Sequence, residues 1–140
     1  MDLTRRKVLT IGASTFAIAA FAGLPAFASL TDEAIAELTA GAEVGEGVIT
    51  VTAPEIAENG NTVPISVDAP GAVAVTIYAD GNPTPAVATF KFGPLSPNRM
   101  AATRIRLATT QNVVAIAEME DGSFQMAKAN VKVTIGGCGG

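Results

Sequence analysis

From Gly47 onward the apolar residues recur at every second position, in short runs broken by Gly, Pro and Asn. Alternation at period two sends successive side chains to opposite faces, which is the pattern of a half-buried strand and not of a helix. Val48-Ile49-Thr50-Val51 reads as a first strand closed by Pro54, and Asn59-Gly60-Asn61 is a turn. Val63, Ile65 and Val67 then alternate with Pro64, Ser66 and Asp68 until Pro70-Gly71. Val73, Val75 and Ile77 repeat the pattern against Ala74, Thr76 and Tyr78, up to the turn Asp80-Gly81-Asn82-Pro83. Residues 87–92 form a further strand, followed by a rigid loop, Gly93-Pro94-Leu95-Ser96-Pro97-Asn98. Ile105 and Leu107 point inward, and Arg104 and Arg106 point outward as a solvated sheet face. Residues 113–117 are apolar on both faces, which suits a central strand or, less well, one covered by a partner. After Asp121-Gly122, Val131, Val133 and Ile135 alternate with Lys132 and Thr134. Roughly seven or eight short strands at this spacing predict an all-β chain, an immunoglobulin-like antiparallel β-sandwich.

A short N-terminal helix precedes the strands in this reading. Thr31 caps it, Asp32 and Glu33 suit the positive end of its dipole, Ile35 and Leu38 face the domain, and Gly41 ends it. Tyr78, the phenylalanines and Met100, Met119 and Met126 are assigned to packing.

Composition narrows the chemistry. Of 140 residues 49% are hydrophobic but only 5% aromatic, so Val, Ile, Ala and Thr carry the core, which favours strands over a Leu-rich bundle. There is no histidine. That excludes a Cys-His or Ser-His-Asp catalytic arrangement within the chain, and histidine-held zinc or copper. The single cysteine, Cys138, can form neither an internal disulfide, a thiolate zinc cage nor an iron–sulfur cluster. Hence no metal site, no resident cofactor and no self-contained catalysis are expected. The net charge of −4 disfavours nucleic acid and anionic membranes as partners.

Residues 1–28 read as an export signal. Thr4-Arg5-Arg6-Lys7-Val8-Leu9 opens it, an apolar stretch over residues 8–27 follows, and Ala26 and Ala28 supply the small residues of a cleavage site. Arg5 and Arg6 resemble the twin-arginine motif that routes folded proteins to the periplasm, with Val8 where that motif usually has phenylalanine. A membrane anchor is the alternative, but Gly12, Gly23 and Pro25 dilute the stretch and the small-x-small site follows at once. Removing residues 1–28 takes Asp2, Arg5, Arg6 and Lys7 with it and moves the net charge from −4 to −6. The remaining chain divides into a sandwich over residues 29–135 and an arm over residues 136–140.

The arm, Gly136-Gly137-Cys138-Gly139-Gly140, holds the thiol among four glycines. Glycine keeps the widest backbone freedom, and no neighbouring side chain can bury the sulfur, so a flexible, slender tether is expected. Cys138 is third past Ile135, a reach of roughly 10 Å in extended chain. An unpaired cysteine in an oxidising compartment marks either intermolecular bonding or a working thiol. A thiol with an ordinary pKa near 8.5 is only a few per cent thiolate at neutral pH. Low intrinsic reactivity protects an exposed arm from indiscriminate oxidation, and activation is then left to a partner's site.

At these residues the chain resembles the SoxY family, the sulfur-carrying subunits of the thiosulfate-oxidising Sox system. The resemblance rests on the terminal Gly-Gly-Cys-Gly-Gly, on the twin-arginine leader, on Glu58-Asn59-Gly60 running into Val63-Pro64-Ile65-Ser66-Val67, and on the closing strand over residues 131–135. It implies a non-enzymatic carrier paired with SoxZ, with Cys138 as the attachment point of covalent sulfur adducts, thiosulfonate and persulfide. It further implies transient visits to SoxAX, a haem protein that loads thiosulfate, to SoxB, a manganese hydrolase that releases sulfate, and to SoxCD, a sulfane dehydrogenase. Haem and manganese would belong to those partners. A different reading of the same residues is an exported β-sandwich binding or adhesion module with an inert tail.

Overall fold

The computed structural model describes residues 27–135. Arg5, Arg6, Ala26 and the arm residues Gly136, Gly137, Cys138, Gly139 and Gly140 lie outside the described residues. Helix α1 (Phe27–Thr39) is followed by β1 (Val44–Glu46), β2 (Thr50–Thr52), β3 (Ile56–Ala57), β4 (Val63–Asp68), β5 (Ala72–Ala79), β6 (Ala86–Lys91), β7 (Met100–Ile105), β8 (Gln111–Met119) and β9 (Phe124–Val133). The strands form two sheets, one ordered β1-β9-β8-β5-β6 with β3 added to β9, the other β2-β4-β7. The fold is the immunoglobulin-like β-sandwich expected from the period-two runs. Its body is antiparallel. β1 and β3 instead join β9 in parallel. These two strands are too short to display a period, so nothing in their sequence signals them.

The core lies where the two sheets face each other. Val63, Ile65 and Val67 of β4 meet Val75 and Ile77 of β5, Val113, Ala115 and Ala117 of β8, and Val131 of β9. Ile105 and Leu107 join them, and Arg104 and Arg106 are exposed as expected. The opposite face of β8 and β5 is covered as well: Val114, Ile116 and Tyr78 pack against Ala34 and Ile35 of α1, with Val44, Phe124 and Met126. Residues 113–117 therefore sit in a central strand between β5 and β9, with both faces covered from within the chain. The reading of that run as a partner contact falls away. Burial, and after it the carboxylate of Glu37 on α1, pushes the Tyr78 phenol above its ordinary pKa.

Several local expectations are corrected. α1 starts at Phe27, ahead of Thr31, because residues 27–30 contain no helix breaker. Thr31 is thus a buried residue inside the helix and not its cap. The helix has no acidic residue in its first turn, so the dipole argument for Asp32 and Glu33 does not apply. Ile35 packs inward, but Leu38 stands at the edge, 39% exposed. The helix closes with Ala40 N–H on Glu37 C=O and Gly41 N–H on Ala36 C=O, both residues being left-handed, φ 53° and 77°. Val73 is partly exposed because the β5–β8 register shifts between Ala72 and Ala74. Met100 lies on the open face of the small sheet and is also exposed. The first strand is two residues later than read: Val48 is exposed, Ile49 is buried ahead of the strand, and β2 spans Thr50–Thr52.

A polar knot ties the β5–β6 turn to the connection before β8. Gly81 N–H donates to Gln111 Oε1 at 2.8 Å, and Gln111 Nε2 donates to Asn82 Oδ1 at 2.9 Å. Asn82 Nδ2 donates to Arg106 C=O at 2.8 Å, and Ala108 N–H to Asn82 Oδ1 at 2.9 Å. A Cβ at Gly81 would stand 2.8 Å from Gln111 Cβ, too close for the backbone-adjacent atom to yield freely. Gly81→Ala is expected to destabilise the domain by roughly 1–3 kcal/mol. The measurement is a lowered urea midpoint with an unchanged m-value.

Candidate functional site: the root of the C-terminal arm

The root of the arm is held on both edges of β9. β9 pairs with β8 as far as Gln111↔Val131. Its other edge then takes β3, with Ile56↔Lys132 and Ala57↔Val133 in register. Lys132 N–H donates to Glu55 C=O at 2.9 Å and Thr134 N–H to Ala57 C=O at 3.1 Å. On the β8 side, Val133 N–H donates to Thr110 Oγ1 at 2.9 Å. The last described carbonyl, that of Ile135, accepts from Gly60 N–H at 2.8 Å.

Gly60 is itself fixed. Its carbonyl accepts from the N–H of Leu107, a fully buried core residue, at 2.8 Å. Asn59 Oδ1 accepts from Asn61 N–H at 3.0 Å and shapes the turn that presents Gly60. The segment Asn59-Gly60-Asn61 was legible as a turn, but its second role, a clamp between the core and the arm, was not. The expected anchoring of the closing strand in the sheet is observed. Ile135 differs from expectation: it lies past the end of β9 and is 67% exposed, since its carbonyl is drawn to Gly60 beyond the sheet ladder.

The surface beside the root is grooved. A hollow of about 300 Å³ runs past Ile56, Glu58, Asn59 and Thr62 to Pro54 and Pro64. Ile56 on its wall is 58% exposed. A second groove of about 660 Å³ continues over the open face of the small sheet, along Thr52, Ser66, Ala102 and Arg104, and shares Pro54 and Pro64 with the first. Glu55, Glu58 and Lys132 are exposed around the root. At the opposite end of the sandwich Leu95 is 95% exposed on the loop after β6. Arg99 braces that loop: it stands 5.9 Å from the Phe92 ring centroid, donates to Gly93 C=O at 3.0 Å and pairs with Glu120 at 3.3 Å. In the neighbouring turn Ser123, through its hydroxyl and its backbone N–H, holds the exposed Asp121 carboxyl below its ordinary pKa.

Among the described residues no group of three or more Cys, Asp or Glu side chains converges on a position for a metal ion, and no helix is long and apolar enough to cross a membrane. Ala28 falls in the first turn of α1. Chemically, the described residues supply a fixed pivot, and the sequence places the thiol of Cys138 three residues beyond it.

The profile of the family "Sulfur oxidation protein SoxY" matches residues 35–138, a span whose last residue is the cysteine itself. The solved structure of the sulfur carrier protein SoxY from Chlorobium limicola f thiosulfatophilum is 38% identical. The match covers 77% of this chain and 99% of that one, with a TM-score of 0.66. A superoxide reductase (neelaredoxin) from Ignicoccus hospitalis, at 15% identity, matches 62% of this chain and 80% of its own with a TM-score of 0.55. A putative superoxide reductase from Thermotoga maritima, also at 15% identity, matches 65% and 87% with a TM-score of 0.52. The last two share the fold alone. No curated protein sequence matches the chain.

Proposed function

The chain belongs to the SoxY family of sulfur oxidation proteins, and from that premise we propose that Cys138 is the attachment point on which it carries thiosulfate-derived sulfur. It is a sulfur carrier of the Sox system and works with partner proteins. The observation that carries the assignment to Cys138 is the pairing of a pinned root with a lone thiol. Ile135 is bonded to Gly60, and three residues later the chain's single cysteine stands among glycines at the end of the family match.

The chemistry balances with an external electron acceptor. In loading, Cys138–SH and S2O3²⁻ give Cys138–S–S–SO3⁻, one proton and two electrons. A new S–S bond forms, and the electrons leave to the haem of a SoxAX-type partner. In unloading, water attacks the outer sulfur, the bond to the sulfane sulfur breaks toward that sulfur, and Cys138–S–SH and HSO4⁻ result. A SoxB-type manganese hydrolase performs that step, and a SoxCD-type dehydrogenase oxidises the remaining sulfane where it is present. The carrier contributes a nucleophile that is poorly ionised until a partner's site activates it, together with a stiff base and a thin tether. Because the adduct stays covalently attached, each enzyme meets it at high effective concentration. A SoxZ-type subunit is the stable partner.

Twin-arginine export through Arg5 and Arg6, with cleavage after Ala28, delivers the chain to the periplasm, where Sox carriers typically act. That cut shortens α1 by two residues and leaves Ala34 and Ile35, which pack on the sheet, in place.

The glycines serve access: a Cβ branch beside Cys138 widens the arm in a narrow channel. Gly137→Val and Gly139→Val are expected to leave thermal stability unchanged and to slow enzymatic loading and unloading on the order of 10–100-fold. Stopped assays of adduct formation and sulfate release measure this. Deleting residues 136–140 tests the reading as a whole. A carrier loses all thiosulfate oxidation in the reconstituted system, whereas an adhesion or binding module with an inert tail keeps its function. Full activity of the truncated chain would refute the proposal.

A further inference from the structure

The short reach of the arm dictates where its enzymes must sit. From the bonded carbonyl of Ile135 to Cys138 is three residues, roughly 10 Å at full extension. An enzyme that takes the sulfur into a channel must bring the mouth of that channel against the root itself. Even a small transient interface of about 1,000 Å² in total covers about 500 Å² on each side, a disc about 13 Å in radius. Centred on the root, that disc includes Ile56, which lies one strand over from Lys132, about 5 Å sideways and about 10 Å back from Ile135.

We infer that the exposed pair Ile56 and Ile135, with the 300 Å³ hollow between Ile56 and Pro64, is the docking face for the enzymes that act on Cys138. The matching surface is an apolar collar around the mouth of a narrow channel. This inference rests on the carrier reading. A permanent subunit is a poor occupant of this face, because even one protein layer about 10 Å thick would use up the whole reach of the arm. The face must stay free between encounters. Its make-up fits that use: two apolar side chains at the centre, and a polar rim of Glu55, Glu58 and Lys132, resemble a transient interface and not an obligate one.

The test uses the carrier together with its stable partner subunit, loaded with thiosulfate, and measures kcat/KM for sulfate release by the hydrolytic enzyme. Ile56→Glu is expected to lower kcat/KM about tenfold or more, and Ile56→Ala about two- to threefold. Leu95→Glu, at the far end, is expected to leave it unchanged. Reaction of the unloaded thiol with a small aromatic disulfide should be the same in all variants, which shows an unaltered arm. Wild-type kcat/KM in Ile56→Glu, or an equal fall in Leu95→Glu, overturns the inference. So does dissociation of the stable subunit, or a changed oligomeric state, in Ile56→Glu, since the face would then belong to that partner or to a second copy. Failure of the wild-type chain to take up an adduct at all would instead strike the carrier reading, and is seen by mass before any variant is compared.

Discussion

Cys138→Ser abolishes the loading of sulfur and leaves the melting temperature of the domain where it was. The two halves of this expectation come from separate features. Serine keeps the size of cysteine but offers a hydroxyl, which cannot form the S–S bond that holds thiosulfate, so no slower route remains. The unchanged stability follows from position: Cys138 lies beyond Ile135, whose carbonyl is bonded to Gly60, and among the described residues the core clusters are filled by side chains upstream of it. Adduct formation is read by intact mass after incubation with thiosulfate and the oxidising partner, and stability by calorimetry. A residual adduct on the serine variant would mean that the attachment point is elsewhere.

The converse behaviour is expected of Ile77→Ala. Ile77 is 1% exposed at the centre of β5, between β6 and β8, and faces the small sheet. Truncating it removes three buried carbons and leaves a cavity that a sandwich closed on both sides fills only in part, for a loss of about 2–5 kcal/mol. A domain of this size has roughly 5–15 kcal/mol to lose, so the denaturation midpoint falls sharply. Cys138 in the fraction that remains folded should load at the ordinary rate, because β8 separates β5 from β9 and the bonds that hold the root run to Glu55, Ala57, Gly60 and Thr110, none of them on β5. The two substitutions thus separate chemistry from folding. A large loss of loading in folded Ile77→Ala would show that the arm depends on the core more closely than the root geometry implies.

The features that the sequence announces are those with long, local signals. β4, with its strict alternation, and β8, apolar on both faces, are legible because five or six consecutive residues repeat one pattern. The two-sided burial of β8 had its physical source in α1, which covers Val114 and Ile116 while the small sheet covers Val113, Ala115 and Ala117. β1 and β3 were invisible because two or three residues carry no period, and because they owe their existence to a parallel partner distant in sequence. The outward turn of Val73 was equally hidden: a bulge is a property of two paired strands, not of one. Thr31 is a good capping residue, so the local sequence places the start of α1 there, but its burial inside the helix outweighs that preference.

The site divides in the same way. A single cysteine among glycines is a compositional fact, and composition needs no structure to read. The root clamp consists of backbone and hydroxyl groups, Gly60 N–H to Ile135 C=O and Val133 N–H to Thr110 Oγ1, which leave no side-chain signature and join segments far apart in sequence. Only the fold brings them together. The exposed Ile56, and the hollow beside it, likewise become meaningful only once β3 is seen to lie against the foot of the arm.

The most direct test is mass spectrometry of the C-terminal peptide from protein purified from cells growing on thiosulfate. The expected spectrum shows Cys138 carrying thiosulfonate or persulfide sulfur in a substantial share of molecules, and no adduct on any other residue. A peptide that carries only the free thiol or a dimer disulfide, in cells actively oxidising thiosulfate, would contradict the account.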